Sequence, residues 1–178
     1  YNEMGGGETG GYWVLDFGFV HPFVWQAWAI GPDSDRVRHR EIYMTRRLVE
    51  DHAKHILEVT RDDPRPVKVI CDHDAEDRAT FEKHAKVRRT EPAKKSVRDG
   101  IQAVAARLRP EDNGRPRIYY LRDSLVERDR ELTEHKDGPK PICTEEEFTS
   151  YVWADVKPGP ERRADEHQPT QCSPNRQK

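Results

Sequence analysis

Residues 12–15, 23–30 and 37–44 are rich in aromatic and β-branched side chains, and Gly18, Pro22 and Gly31-Pro32-Asp33 break them apart. No other feature constrains the fold as much. Apolar runs this short, bounded by turn formers, read as strands joined by tight connections. Three in succession predict an antiparallel meander.

A different period follows. Thr45 is placed to cap a helix carrying Leu48, Val49, His52, Ala53, Ile56, Leu57 and Thr60 at helical spacing, and the Pro-rich stretch 61–66 ends it. Residues 67–71 suit a buried strand. Asp74 then caps a helix over 75–85, with Glu76 and Asp77 in its electropositive first turn. Ser96 with Asp99 opens another, whose Val97, Ile101, Val104, Ala105 and Leu108 make the cleanest amphipathic stripe in the chain. A strand over 117–121 comes next. Ser124 and Glu127 form a capping box for a helix to about His135, and Thr144 with Glu147 starts a last short helix before Tyr151-Val152-Trp153. Strands first, then alternating helices and strands, predict an α/β fold with a mixed sheet. The four tryptophans, Trp13, Trp25, Trp28 and Trp153, read as anchors of its core.

Composition narrows the class. Charged residues are 36% and apolar residues 34%, so the core must be lean. With 31 Lys and Arg against 33 Asp and Glu, the net charge of −2 excludes a polybasic coat or an acidic tail, yet allows a local basic face. No run approaches the roughly 18 apolar residues that span a bilayer. Without a charged-then-apolar leader, and with three distant cysteines (Cys71, Cys143, Cys172), the expectation is a reducing, intracellular setting. The Gly-rich run 5–11 has no Lys-Ser or Lys-Thr and leads into strand material, so it reads as a flexible linker over 1–11 and not as a phosphate loop. Residues from 157 onward hold only Ala164 and Cys172 from the apolar set and predict a disordered or divergent tail over 155–178.

Two acids stand where chemistry is built in such sheets. Asp16 ends the first strand and Asp72 the fourth, and strand-end carboxylates on neighbouring central strands meet at one sheet edge. Two carboxylates there suit hard divalent cations such as Mg²⁺ or Mn²⁺. The plain alternative is that Asp16 makes a turn before Gly18 and that Asp72 or Asp74 only caps a helix. Close Cys and His pairs at zinc-site spacing are lacking, His52 reads as a partly buried helix residue, and Cys143 has no visible base.

The segment 15–22 (LDFGFVHP) resembles the first motif of the nuclease domain of tailed-phage terminase large subunits, and 71–78 (CDHDAEDR) is similar to their second acidic motif. Residues 93–101 and 147–153 resemble later segments in the family's order, so the likeness runs over 12–154. It implies an RNase H-like nuclease domain that cuts concatemeric viral DNA with two metal ions. Asp16 and Asp72 would be the catalytic metal ligands and Asp74 a further one. It also implies double-stranded DNA, a terminase ATPase domain, a small terminase subunit and a portal as partners, in the cytoplasm of a bacterial host. Two departures accompany it. The ATPase motifs are absent from this sequence, and the last acidic motif diverges at Asp165-Glu166-His167, as in a truncated or frameshifted gene or a decayed prophage copy. Only Asp155, Asp165 and Glu166 then stand in for a third ligand, which predicts metal binding with poor cleavage. A non-catalytic DNA-binding remnant and another RNase H-like enzyme, such as a resolvase or transposase core, are the alternative readings. Among the basic groups, Lys94, Lys95 and Arg98 are favoured for phosphate contacts over Arg46-Arg47 and the 86–89 cluster.

Overall fold

Alternation in the first three runs sets the sheet. In the computed structural model, which describes residues 11–150 other than 32, 95, 137 and 139 and only the backbone of 97, they become β1 (Tyr12–Asp16), β2 (Phe23–Ile30) and β3 (Arg36–Met44). β1 pairs antiparallel with β2, and β2 with β3, as the meander requires. Trp13, Leu15, Phe23, Trp25, Ala27, Ile42 and Met44 all turn to one face and are buried there. The Trp13 and Trp25 rings meet edge to face at 5.6 Å, while Trp28 lies half-buried and donates from Nε1 to Gln26.

α1 (Val49–Val59) leads to β4 (Lys68–Cys71), which pairs parallel with β1. α2 (Ala75–Ala85) leads to β5 (Glu91–Pro92), parallel with β4, and α3 (Val97–Leu108) leads to β6 (Ile118–Tyr120), parallel with β3. The sheet order is β5-β4-β1-β2-β3-β6. Ala53 and Ile56 of α1 and Phe81 and Ala85 of α2 complete the core beneath Trp13 and Trp25. This is the α/β, RNase H-like mixed sheet expected from the sequence. A smaller cluster of Tyr43, Leu132 and Ile142 forms where α4 (Arg130–Thr133) and the chain before α5 (Thr144–Ser150) meet β3.

Three predicted caps are used otherwise, each because a distant partner outcompetes the local one. Thr45 does not cap α1. Its amide and hydroxyl donate to Asp129 at 2.6 and 2.8 Å, and the helix starts after Leu48 with no side-chain cap. The helix expected from Ser124 shrinks to α4, because the Ser124 carbonyl accepts from the Glu41 amide and its hydroxyl from buried Arg38. α5 starts at Thr144 as expected, but the Thr144 hydroxyl is engaged by Glu41 and Gln26 instead of the helix. Asp74 and Ser96 cap as predicted. The apolar stripe of α3 stays largely open, with Ile101 42% and Leu108 45% exposed. Of the expected linker over 1–11 only Gly11 is described, and residues 151–154 and the expected tail over 155–178 lie outside the described residues.

Candidate active site

The register brings the acids to one edge. Asp16 is opposite Val24, and Val24 is opposite Tyr43, so these three form one row across β1, β2 and β3. On the other side Leu15 pairs with Cys71, which sets Asp72 one residue past the strand, beside Asp16. The chain turns sharply just after Asp16. A Cβ at Gly18 would lie 2.5 Å from the His21 carbonyl oxygen and 2.6 Å from that of Pro22, so only glycine fits this turn.

The electrostatics record the convergence. Burial pushes the Asp16 carboxyl above its ordinary value, and the neighbouring charge of Asp72 pushes it further. Glu147, on α5, is raised first by burial and then by the charges of Glu41 and Asp16. Tyr43 is pushed up to about 12 by burial, with Glu147 and Glu41 next in effect. Asp16 is thereby coupled both to Asp72 at the end of β4 and to Glu147 on α5.

α5 is held in place from below. Arg38 and Glu41 form a fully buried ion pair at 2.6 Å, and the Glu41 carboxylate also accepts from the Thr144 amide and hydroxyl at the start of α5. Gln26 adds a bond to the Thr144 hydroxyl at 2.7 Å. This network fixes the first turn of the helix that carries Glu147.

The remaining sequence candidates separate. Asp72 accepts from the His73 amide at 2.6 Å and stays about half exposed. Asp74 is engaged as the N-cap of α2, its Oδ1 accepting from the amides of Glu76 and Asp77. Lys94 and Arg98 are exposed; Lys95 lies outside the described residues. The Ala93 amide donates to the Cys71 carbonyl, which sets Lys94 at the carboxyl end of β5 beside Asp72. Arg46 and Arg47 are spent on ion pairs with Glu131 and Glu127. Sequence reasoning passed over Glu147, since Glu145, Glu146 and Glu147 are equivalent until the phase of α5 against the sheet is known. Asp155, Asp165 and Glu166 lie outside the described residues.

The donors are hard oxygens of the kind Mg²⁺ and Mn²⁺ take, and their mutual repulsion is what a cation would relieve. Among the described residues, no group of three His, Cys, Asp or Glu is already arranged to hold one ion.

The fold and this edge define an RNase H-like α/β domain with strand-end acids. No family model and no curated protein matches the chain. Among solved structures it is similar to the large terminase of a thermophilic bacteriophage. In the ADP complex of that protein the TM-score is 0.60 at 18% identity, over 85% of this chain and 34% of that chain. The complex with ATP-gamma-S gives the same values, and a second crystal form gives 0.53 at 17% identity over 66% and 29%. The chain therefore spans about a third of the length of the protein it matches. At that identity the likeness is one of fold, and it falls on the proteins whose motifs the sequence resembles.

Proposed function

We propose that this chain carries a divalent-metal-dependent nuclease site of the large-terminase type, acting on double-stranded DNA. One observation supports this above the others: Asp16, Asp72 and Glu147 come from three separate elements to one sheet edge, where burial and like charge destabilise the ionised forms of Asp16 and Glu147. Structural acids are seldom gathered at such a cost without a cation or proton to offset it. Asp16, Asp72 and Glu147 are the residues assigned to hold Mg²⁺ or Mn²⁺, with Asp74 kept as a helix cap. Such ions polarise a phosphodiester and stabilise the charge that develops on its oxygens. Tyr43 stays protonated at neutral pH and can donate a hydrogen bond beside the acids. Lys94 and Arg98, with Lys95, neutralise backbone phosphates near an otherwise repulsive site. On the same reading the domain works beside a terminase ATPase domain, a small terminase subunit and a portal, in the bacterial cytoplasm.

The engagement of Asp74 as the N-cap of α2, which leaves one acid fewer for a metal, favours a second reading, a DNA-binding domain that does not cut. Calorimetric titration with Mn²⁺ separates the two at their first step. The nuclease reading expects saturable binding that weakens at least tenfold in Asp16→Asn and in Glu147→Gln, each removing one charged ligand. Unchanged binding in both variants would remove the site assignment.

A further inference from the structure

A second positive anchor faces the acids from the side opposite Lys94. Between the turn after β1 and the start of α5 lies a cleft of about 370 Å³, lined by His21, Tyr43, Lys140 and Glu147. Lys140 and His21 are exposed, and among the described residues neither side chain has a hydrogen-bond or ion-pair partner. Lys140 is nonetheless fixed at its root. Its amide donates to the Leu132 carbonyl at 3.0 Å, and Leu132 and Ile142 on either side are buried against Tyr43. A lysine held beside Glu147 and still unpaired is a cation kept for something outside the chain.

Resting on the nuclease reading above, we infer that Lys140, assisted by the ring N–H of His21, binds a backbone phosphate of the same duplex that Lys94 binds. The DNA then crosses the carboxyl edge of the sheet at right angles to its strands. The sheet order gives the span. From β5, just after which Lys94 stands, to β3, which carries Tyr43, there are four inter-strand steps, or ~19 Å at ~4.8 Å each. Along B-form DNA, at ~3.4 Å per base pair, that is about five to six base pairs, with the three acids between the two anchors. A phosphate arriving over the acids is repelled from below and held from both flanks, so it is positioned over the reacting centre without base contacts.

Salt dependence of binding to a fluorescent DNA duplex, measured in EDTA, tests this without metal or cleavage. Lys94→Gln and Lys140→Gln should each make the slope of log K against log salt shallower by about 0.9, and the double variant by about 1.8. His21→Ala should weaken binding and leave the slope unchanged. Lys54→Gln, on α1 at the other face of the sheet, serves as control and should match the wild type. A wild-type slope in Lys140→Gln, or an equal loss in Lys54→Gln, would overturn the second anchor. Because no metal is present, failure of the nuclease reading would show separately, as absent Mn²⁺ binding beside an intact slope effect.

Discussion

His52 offers a quantitative test of the core. It sits on α1 fully buried, its ring stacked on Phe23 at 3.9 Å, and neither ring nitrogen has a hydrogen-bond partner among the described residues. Burial, then the charge of Arg47 and the neighbouring His55 ring, lower its pKa from 6.5 to about 3, with Asp51 opposing weakly. The unfolded chain therefore takes up a proton near pH 6.5 that the folded chain refuses until about pH 3. Stability is lost as pH falls through that window. At 1.36 kcal/mol per unit, going from pH ~7 to pH ~4.5 removes about 2.5 kcal/mol through this one group, a large share of the ~5–15 kcal/mol typical of a domain. His52→Leu keeps an apolar side chain of similar size and abolishes the term. It should also gain about 1 kcal/mol at neutral pH, since two unsatisfied polar atoms leave the core and only a ring contact is lost. Urea midpoints for both proteins at the two pH values check this, and the difference between proteins cancels every other titrating group. Equal acid losses in wild type and His52→Leu would refute the reasoning.

Further outcomes follow from the same contacts. In metal-free protein, Glu147→Gln should raise the thermal midpoint, because Glu147 and Asp16 have raised pKa values and cost stability as pH climbs through them; added Mg²⁺ should then stabilise the wild type more than the variant. Glu41→Leu should cost about 3–5 kcal/mol by stranding the buried Arg38 guanidinium, read as a shifted urea midpoint. Asp129→Ala should cost about 2–3 kcal/mol, since its carboxylate accepts from the Thr45 amide and hydroxyl and the Glu131 amide. Burial alone would raise the Asp129 pKa, but these bonds outweigh it and hold it below 3.8, so its contribution is present at neutral pH and disappears in acid. Gly18→Ala should destabilise by about 1–3 kcal/mol in the same assay, from the collision of a methyl with two carbonyl oxygens.

Much of the fold was legible because periodicity reports burial directly. β2 and α2 begin and end where the pattern places them, and Asp16 and Asp72 meet as strand-end residues on adjacent strands should. The failures share one cause. Thr45 finds Asp129 84 residues away, and Thr144 finds Glu41 103 residues away, and no local pattern signals either partner. β5 is two exposed residues including a proline, too little for any strand signal. The α3 stripe was read correctly as apolar, yet periodicity cannot state whether such a stripe is covered. Glu147 was hidden for a related reason: its role depends on how the Arg38–Glu41–Thr144 network phases α5 against the sheet.

Nicking of supercoiled plasmid in Mn²⁺ bears most directly on the proposal that Asp16, Asp72 and Glu147 together serve a metal-dependent nuclease. The predicted result is conversion to open circles by the wild type, abolished by EDTA and lost in Asp16→Asn and in Glu147→Gln while both variants bind DNA in EDTA at least as tightly as the wild type. Wild-type protein that binds Mn²⁺ and DNA yet leaves the plasmid intact, or nicking that persists in Glu147→Gln, would contradict it.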